Sequence, residues 1–435
     1  MAKIIPFQGV LYNKDKISDL SQVVTPPYDV ISPEEQDNFY KKSEYSIVRL
    51  ILNKKTEQDD TKNNPHIRAS EFFKSWMTKK ILINDVSPSF YLTTVEFSVD
   101  NQKYIRHGLI GLVELEPFEK GIILPHEKTF SKIKSERLGL MKACKANFSP
   151  IFSIYPDEDN AILKILKDEC AKKQPDMDFS DDKGYQHKLW RITDTSIQNQ
   201  ISLKMQEKTI FIADGHHRYE TALNYRDLIA KEDPSYNSAH KSNYIMMYLC
   251  SMNDEGMKIL PAHRIIKKVA SNIMDSFIEK SKKYFDIKEI KIDEITSKMK
   301  TNESETIIGV LIKNSPSAYI FKLKQKAMDQ FTDEMPASLR LLDVTVLTRL
   351  LLTELLSFDQ AKLDDAALIE YSSLESKTIQ YITSGNADIA FMLNPTKIEQ
   401  VRSVALEQLT MPRKSTYFYP KVITGQVINS LEGTI

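Results

Sequence analysis

A run of ionisable residues interrupts an apolar stretch near the middle of the chain. The sequence KTIFIADGHHRYETAL, residues 208–223, changes from an apolar strand pattern to an acid, a glycine, two histidines and an arginine. Helical spacing of apolar residues resumes at Tyr219, which predicts a helix that begins at or just after Gly215. A helix start offers unpaired N–H groups and a positive dipole end, and arginine adds a fork that suits phosphate oxygens. The pattern therefore predicts a phosphate-binding turn made of Asp214, Gly215, His216, His217 and Arg218.

Two other interpretations of this turn are weaker. Asp214 alone could cap the helix while one histidine packs and the other is solvated. The contiguity of the acid, glycine, histidines and arginine at a strand-to-helix step favours an anion site over that arrangement. A metal site is a weaker interpretation than an anion site, because adjacent histidines at a helix start point in different directions and the i,i+4 histidine pair of helical zinc motifs is missing.

A second candidate group follows another apolar run. The motif LPHEKTF, residues 124–130, places His126 and Glu127 just after that run. An acid in this position can act as a general base or hold Mg²⁺. The residues alone leave equally open an ordinary acid at a helix start. The candidate catalytic residues are Glu127, His126 and His217.

A third group lies near the end of the chain. The motif MPRKSTYFYPK, residues 411–421, mixes basic residues and hydroxyls with prolines and aromatics. Arginine and lysine supply charge, and serine and threonine supply hydrogen bonds, for a phosphate or a carboxylate. A solvated basic face is the alternative, but it leaves the interleaved prolines and aromatics unexplained. The motif therefore predicts a substrate-binding loop with Arg413, Lys414, Ser415, Thr416 and Lys421.

Two shorter motifs add substrate-binding candidates. TPPYDVIS contributes Tyr28 and Asp29. LPAHRII has a pattern typical of a strand end that presents His263 and Arg264. For all four residues a purely structural role is as well supported as a binding role.

The elements that must position these residues mix strands and helices along the whole chain. A length of 435 residues predicts more than one domain, and the alternating patterns predict an α/β class with mixed α+β character. We divide the chain into an N-terminal α/β segment, a core with the phosphate-binding turn, an α+β insertion, and a C-terminal segment that returns a basic loop to the site. Their respective limits are 1–118, 119–268, 269–335 and 336–435.

Three local patterns carry further structural predictions. YSIVRLILN, residues 45–53, predicts a strand. The lysine-rich stretch 172–188 predicts an exposed loop, and the leucine-rich stretch 337–357 predicts one long apolar helix.

Composition limits the partners. Basic and acidic residues both number 59, so no overall charge favours nucleic acid or an anionic membrane. The N-terminal residues lack a signal-peptide layout and no apolar run approaches a membrane span. The three cysteines are far apart and in no ligand spacing, as in a reduced protein. We expect a cytoplasmic protein, compatible with oligomerisation, that binds a small molecule and neither nucleic acid nor membrane.

The order of the motifs adds a family resemblance. PPYDVIS, RHGLIGLVEL, HEKTF with SERLGLMKACKANFSPIF, IADGHHRYETAL, LPAHR and MPRKSTYFYPK resemble, in order, the motifs of the uncharacterised family named domain of unknown function 1015. The resemblance spans nearly the whole chain. Because the family name carries no activity, it does not by itself imply a reaction.

A more distant resemblance is more informative about mechanism. ADGHHRYETAL is similar to the second box of ParB-like proteins, to the phosphate-binding turn of sulfiredoxins and to the Asp-Gly-His-His-Arg turn of free-serine kinases. The resemblance implies a ParB/sulfiredoxin-like core with N-terminal and C-terminal α/β elaborations. It also implies that Glu127 acts as the base on a serine hydroxyl while the turn holds nucleotide phosphates. His216 stands where sulfiredoxins have their catalytic cysteine, and a basic helix-turn-helix tail is missing, so neither sulfinic-acid reduction nor DNA partitioning is expected.

These features lead to one main hypothesis and two alternatives. The main hypothesis is phosphoryl transfer involving serine or O-phosphoserine, as a kinase or a phosphatase, with Mg²⁺ and either ADP or ATP as cofactors. The first alternative is a non-catalytic nucleotide-binding switch of ParB-like type. The second is a metal-dependent hydrolase that uses the histidines and Asp214.

Overall fold

A computed structural model describes residues 1–129, 131–300 and 305–435 of the chain. Phe130, the last residue of the LPHEKTF motif, lies outside these residues. The strands, in chain order, are β1 (Ile4–Ile5), β2 (Val10–Tyr12), β3 (Leu82–Asn84), β4 (Phe90–Val99), β5 (Gln102–Glu114), β6 (Ile123–Leu124), β7 (Ala146–Asn147), β8 (Ile151–Tyr155), β9 (Met177–Ser180), β10 (Gln186–Ile192), β11 (Ile210–Asp214), β12 (Tyr244–Ser251), β13 (Lys258–Leu260), β14 (His263–Ile266), β15 (Phe285–Ile290), β16 (Ile307–Ile312), β17 (Ala318–Leu323), β18 (Ile369–Ser372), β19 (Ile389–Met392), β20 (Tyr417–Tyr419) and β21 (Asn429–Ser430).

Helices are distributed along the same described residues. In chain order they are α1 (Pro33–Lys42), α2 (Val48–Ile51), α3 (Pro65–Thr78), α4 (Ser131–Cys144), α5 (Ala161–Lys172), α6 (Thr195–Gln206), α7 (His216–Glu232), α8 (Ser271–Ser281), α9 (Ile295–Met299), α10 (Ala337–Arg340), α11 (Asp343–Val346), α12 (Gln360–Asp364), α13 (Glu375–Thr383) and α14 (Ile398–Leu406). None of these described helices combines the length and the apolar character needed to cross a membrane.

The chain divides into two compact units. Unit 1 comprises Met1–Pro125, Thr129–Lys258 and Pro420–Ile435, and unit 2 comprises His126–Lys128 and Ile259–Tyr419. The four segments predicted from the sequence do not correspond one to one with these units. The first segment and most of the second share unit 1, whereas the third and most of the fourth share unit 2.

Unit 1 is built around a large mixed sheet. Among the described residues its strands follow the order β6-β11-β8-β12-β5-β4-β10-β9, and β1 also pairs with β5. Strand β11 runs parallel to β6 and antiparallel to β8, and β12 runs parallel to β8 and antiparallel to β5. This mixed pairing, together with the interspersed helices, confirms the predicted α/β class.

The core of unit 1 explains how the central helix is held against this sheet. Ile210 and Ile212 of β11 are fully buried in one apolar cluster. Tyr219 and Ala222 of α7 belong to the same cluster. Tyr219 also donates a hydrogen bond from its hydroxyl to the Glu116 carbonyl at 2.7 Å. Strand and helix are therefore fixed on either side of the turn that joins them.

Unit 2 contains a smaller sheet in which every pairing is antiparallel. Its strand order is β15-β17-β16-β19-β14-β18 in the described residues. A nine-residue π-helix, Leu347–Leu355, buries all of its leucines. The hairpin of β16 and β17 matches the predicted α+β character of this part of the chain.

Two predictions of local structure are wrong because buried apolar residues were assigned the wrong element. Residues 45–53 contain the short helix α2 in place of a strand, with Val48, Leu50 and Ile51 buried. A short apolar run buried on all sides has no periodicity that separates strand from helix. Residues 172–188 are not an exposed loop, since they include β9, in which buried Met177 and Phe179 alternate with exposed residues, and the start of β10.

Two further predictions misplace an element boundary. The stretch 337–357 is not one helix, because Leu342 has an extended backbone with ψ of 136° and separates α10 from α11 and the π-helix. His263 and Arg264 begin strand β14 and do not end a strand. Pro261 lies just before them and removes a backbone donor, which is consistent with a strand that starts only after it.

Candidate functional site

The predicted phosphate-binding turn of unit 1 has the expected strand-turn-helix form. Strand β11 ends at Asp214, and the 17-residue helix α7 begins at His216. Gly215 joins them with φ of 104°, a left-handed conformation that L side chains rarely adopt. His216 is buried and His217 is half-buried in the first turn of the helix. The amides of that turn lie at the positive end of the helix dipole, where an anion is stabilised.

The strand pairing is irregular just before Asp214. The pairing of β11 with β8 shifts register between Ile212 and Asp214, and such shifts re-aim the side chain that follows. The Asp214 carboxylate lies 3.2 Å from Lys421 Nζ and 3.7 Å from Arg218 Nη2. Burial alone would raise the pKa of Asp214, but Lys421 and Arg218 hold it well below its usual range. Asp214 therefore stays ionised between two cations at neutral pH.

Arg218 is fixed by the backbone around it. Its Nη1 donates to the carbonyl of Pro150, which precedes β8. A Cβ atom added at Gly215 would lie 2.9–3.0 Å from the Arg218 guanidinium. The absence of a side chain at Gly215 thus leaves room for the arginine as well as permitting the positive φ.

Tyr28, a residue predicted to bind substrate, is influenced by the charge of the same arginine. Burial raises its pKa, and the positive charges of Arg137 and Arg218 act in the opposite direction. The Arg137 guanidinium lies 3.9 Å from the centre of the Tyr28 ring, within the range of a cation–π contact. Asp29, in contrast, is exposed.

Arg137, which contacts Tyr28, is not among the residues that the sequence predicts for the site. Its Nε donates to Glu136 at 2.6 Å, and its Nη1 donates to the carbonyl of Ile51 at 2.9 Å. Burial would raise the pKa of Glu136, but His66 and Arg137 lower it to about 2. Arg137 lies within α4 and is next to an acid, so its sequence context resembles an ordinary helix surface. That context gives no signal of its contact with the Tyr28 ring.

A second group of predicted residues comes together in unit 2. His126 Nε2 lies 3.0 Å from the Thr416 hydroxyl, and the His126 carbonyl accepts a hydrogen bond from Met411 N at 2.9 Å. Burial lowers the pKa of Arg264 to about 10, while Tyr371 and Glu127 oppose that shift. Residues 126–128 and the C-terminal motif, which were predicted to contribute to one site, therefore contact each other in unit 2.

Several residues in this group hold the loop itself. Arg264 Nη2 donates to the carbonyls of Arg413 and Lys414 at 3.3 and 3.0 Å. The Ser415 hydroxyl donates to the Pro412 carbonyl at 2.5 Å. These bonds give Arg264 and Ser415 structural roles, and their roles as substrate ligands stay predictions.

His263 is buried in unit 2. Its Nδ1 accepts a hydrogen bond from Leu393 N at 3.1 Å, which places the proton of the neutral ring on Nε2. Burial, followed by the charge of Arg264, lowers the pKa of His263 to about 4. The ring is thus uncharged at neutral pH.

The predicted site residues fall into two sets, one in each unit. The unit 1 set is Tyr28, Asp29, Asp214, Gly215, His216, His217, Arg218 and Lys421. The unit 2 set is His126, Glu127, His263, Arg264, Arg413, Lys414, Ser415 and Thr416. The C-terminal motif is therefore divided, with Lys421 in unit 1 and the other predicted ligands in unit 2. Within the described parts of the chain, no group of three or more His, Cys, Asp or Glu side chains is placed to hold a metal ion.

The solved structures that match the chain share little sequence with it. A mutant free serine kinase in complex with ADP is 12% identical, with a TM-score of 0.35, over 75% of this chain and 94% of the kinase chain. A conserved hypothetical protein from Pyrococcus furiosus is 13% identical, with a TM-score of 0.35, over 75% and 97% of the two chains. SbnI with a C-terminal truncation from Staphylococcus aureus is 11% identical, with a TM-score of 0.35, over 73% and 86%.

Sequence comparison identifies a family. No curated protein matches the chain. Residues 4–345 match the family described as "Protein of unknown function (DUF1015)". That match covers well over half of the chain and includes all the motifs quoted above except MPRKSTYFYPK, which lies beyond residue 345. The chain belongs to this family.

Proposed function

We propose that this protein is a phosphoryl-transfer enzyme that acts on serine or O-phosphoserine and holds the phosphate at the start of α7. One observation carries the proposal: Arg218 and Lys421 flank the single carboxylate of Asp214 at this helix start. The three side chains together have a net charge of about +1, to which the helix dipole adds.

The alternative is that Asp214 only neutralises its neighbours. Two largely buried cations lie close to this one carboxylate, and their side chains are 13% and 15% exposed. Positive charge away from water is stabilised by nearby anions. A phosphate group supplies negative charge and accepts hydrogen bonds from arginine, lysine and helix amides together. The arrangement therefore supports an anion site better than a closed ion pair.

The proton of the reacting hydroxyl needs an acceptor. We assign this role to Glu127, with His126 and His217 as the other candidates. In the kinase direction the serine oxygen bonds to the terminal phosphorus of a nucleotide, the bond to the leaving diphosphate oxygen breaks, and the proton passes to Glu127. In the phosphatase direction Glu127 takes a proton from water, the water oxygen bonds to phosphorus, and the serine oxygen leaves and is protonated.

Mg²⁺ is a common cofactor of phosphoryl transfer and requires oxygen ligands. It is usually held by one or two carboxylates together with substrate phosphates. Asp214, the carboxylate at the phosphate-binding turn, is already engaged by Lys421 and Arg218. Its pairing makes it a poor metal ligand, so no step is assigned to Mg²⁺.

The test uses the full chain with O-phosphoserine, with and without ADP and Mg²⁺, and with serine and ATP in the reverse direction. A kinase interconverts serine and phosphoserine only with nucleotide, whereas a phosphatase releases inorganic phosphate without it. Arg218→Met should reduce either activity by at least about 100-fold, because it removes a cation that this proposal assigns to the phosphate. Arg226→Met, on the same helix and bonded to Asp227 and to the Leu115 carbonyl, is the matched control.

The outcomes separate the hypotheses. If no combination gives either phosphate release or nucleotide conversion, the hypothesis of a phosphoryl-transfer enzyme is rejected. Tight nucleotide binding that changes the oligomeric state without turnover would favour the nucleotide-binding switch. Stoichiometric metal in protein purified without chelator would favour the hydrolase.

A further inference from the structure

Thr424 connects parts of unit 1 that are distant in sequence. It is fully buried in the segment that follows Lys421. Its amide donates to the Thr25 carbonyl at 2.8 Å, and its carbonyl accepts from the Thr25 amide at 3.1 Å. Its hydroxyl shares a hydrogen bond of 2.9 Å with the hydroxyl of Ser149. One residue thus joins the N-terminal motif, the turn before β8 and the C-terminal segment.

Each contact leads directly to a residue of the phosphate-binding turn or its surroundings. Thr25 is followed by Pro26 and Pro27, which restrict the backbone between it and Tyr28. Ser149 is followed by Pro150, whose carbonyl accepts from Arg218. The third connection is along the chain itself, since Lys421 is in the same short segment as Thr424.

We propose that Thr424 is a positioning residue of the phosphate-binding turn. It places Arg218 through the Ser149–Pro150 turn, and it places Lys421 and Tyr28 through its backbone. The proposal rests on the proposed function, because it assumes that these side chains bind phosphate. Thr424 itself touches neither the Asp214 carboxylate nor the ligand in this scheme.

The hydroxyl of Thr424 is the part that a substitution can isolate. Its backbone bonds with Thr25 persist in any side-chain variant. Loss of the hydroxyl, however, leaves the Ser149 hydroxyl without this partner and frees the turn that carries Pro150. Charge-assisted bonds to phosphate need donor–acceptor distances near 2.8 Å, so a small movement of Arg218 weakens binding.

The experiment compares Thr424→Val, which keeps the shape, with Thr424→Ser, which keeps the hydroxyl. Affinity for inorganic phosphate is measured by calorimetry on the full chain. We expect Thr424→Val to weaken binding about tenfold and Thr424→Ser to remain within about twofold of the unsubstituted chain. Thr93→Val is the matched control, since Thr93 is a buried threonine of unit 1 whose hydroxyl donates to Gly108 on β5.

A double-mutant cycle with Ser149→Ala separates positioning from general loss of stability. If the hydroxyl pair positions Arg218, the valine and alanine variants each weaken binding and the double variant is no weaker than either. Equal binding by the unsubstituted chain, Thr424→Val and Ser149→Ala overturns the positioning role. Absence of phosphate binding by the unsubstituted chain overturns the proposed function instead. If Thr424→Val does not fold, Ser149→Ala alone decides between the first two outcomes.

Discussion

Lys421 Nζ lies 3.2 Å from Asp214 Oδ2, and both side chains are largely buried. The pair joins the C-terminal segment of unit 1 to the middle of the chain at the point where β11 gives way to α7. Residues 4–345 match the family description, so this lysine lies beyond the matched region. The proposed phosphate-binding turn therefore includes a residue from the C-terminal segment.

Lys421→Met should weaken binding of inorganic phosphate by about tenfold or more. The substitution removes one of two cations and leaves Arg218 to neutralise Asp214, so the net positive charge of the three groups falls to zero. Calorimetric titration of the full chain measures the effect. Lys145→Met is the matched control, because Lys145 is an exposed lysine of unit 1 that pairs with Glu432 at 3.6 Å. Equal affinity of the two variants would contradict a phosphate-binding role for Lys421.

Gly215→Ala should impair phosphate binding more than its cost in stability explains. The alanine Cβ would lie 2.9 Å from Arg218 Nη2 and force the guanidinium to move. Gly121→Ala provides the comparison, since Gly121 also has positive φ, 69°, but an added Cβ would have no heavy atom within 4 Å. Both variants should lose roughly 1 kcal/mol of unfolding free energy from backbone strain. Only Gly215→Ala should lose phosphate affinity, and parallel losses in both variants would remove Arg218 from the explanation.

The strand-turn-helix around Gly215 could be predicted because local signals agree there. An apolar strand pattern, a glycine and helical spacing all point to the same step, and the structure has β11 and α7 at these positions. The start of α1 also depends on residues that are close in sequence. The side chain of Ser32 accepts a hydrogen bond from Glu35 N, and a complete capping box starts this helix.

Contacts made by distant parts of the chain could not be predicted in the same way. The stacking of Arg137 on Tyr28 and the bond between Thr424 and Ser149 depend on how the chain folds back, not on local spacing. The helix at Val48–Ile51 was mistaken for a strand because burial on all sides removes the amphipathic pattern. The register shift between Ile212 and Asp214 likewise has no signature in the apolar residues around it.

Glu127→Gln should abolish turnover while leaving phosphate affinity within about twofold of the unsubstituted chain. The amide keeps the size of the side chain but cannot accept the hydroxyl proton, and loss of a general base costs roughly 100-fold or more in rate. Rates with serine and ATP, and with phosphoserine, are compared at fixed pH. Glu57→Gln, at an exposed position of unit 1, is the control for the loss of one negative charge. Full activity of Glu127→Gln would assign the proton to another group, with His126 and His217 next to test.

The buried His263 should make the unfolding free energy of unit 2 depend on pH. Its pKa is about 4 in the folded protein, against an ordinary value of 6.5 in the unfolded chain. Between these pH values the unfolded chain binds a proton that the folded chain does not. The uncharged His263 therefore makes its full contribution to the free energy of unfolding above pH 6.5. This contribution is lost as the pH falls towards 4 and amounts to roughly 3 kcal/mol over the whole interval.

His263→Gln should flatten this part of the pH profile, because the amide does not titrate. Urea unfolding of the variant and of the unsubstituted chain at several pH values between 7 and 4 gives the difference in slope, in which the carboxylates common to both proteins cancel. The variant should be less stable at pH 7, since the fit around the ring and the bond from Leu393 N are disturbed. Its loss relative to the unsubstituted chain should shrink as the pH falls. A difference that stays constant from pH 7 to 4 would mean that His263 titrates alike in both states, and burial would then not control its pKa.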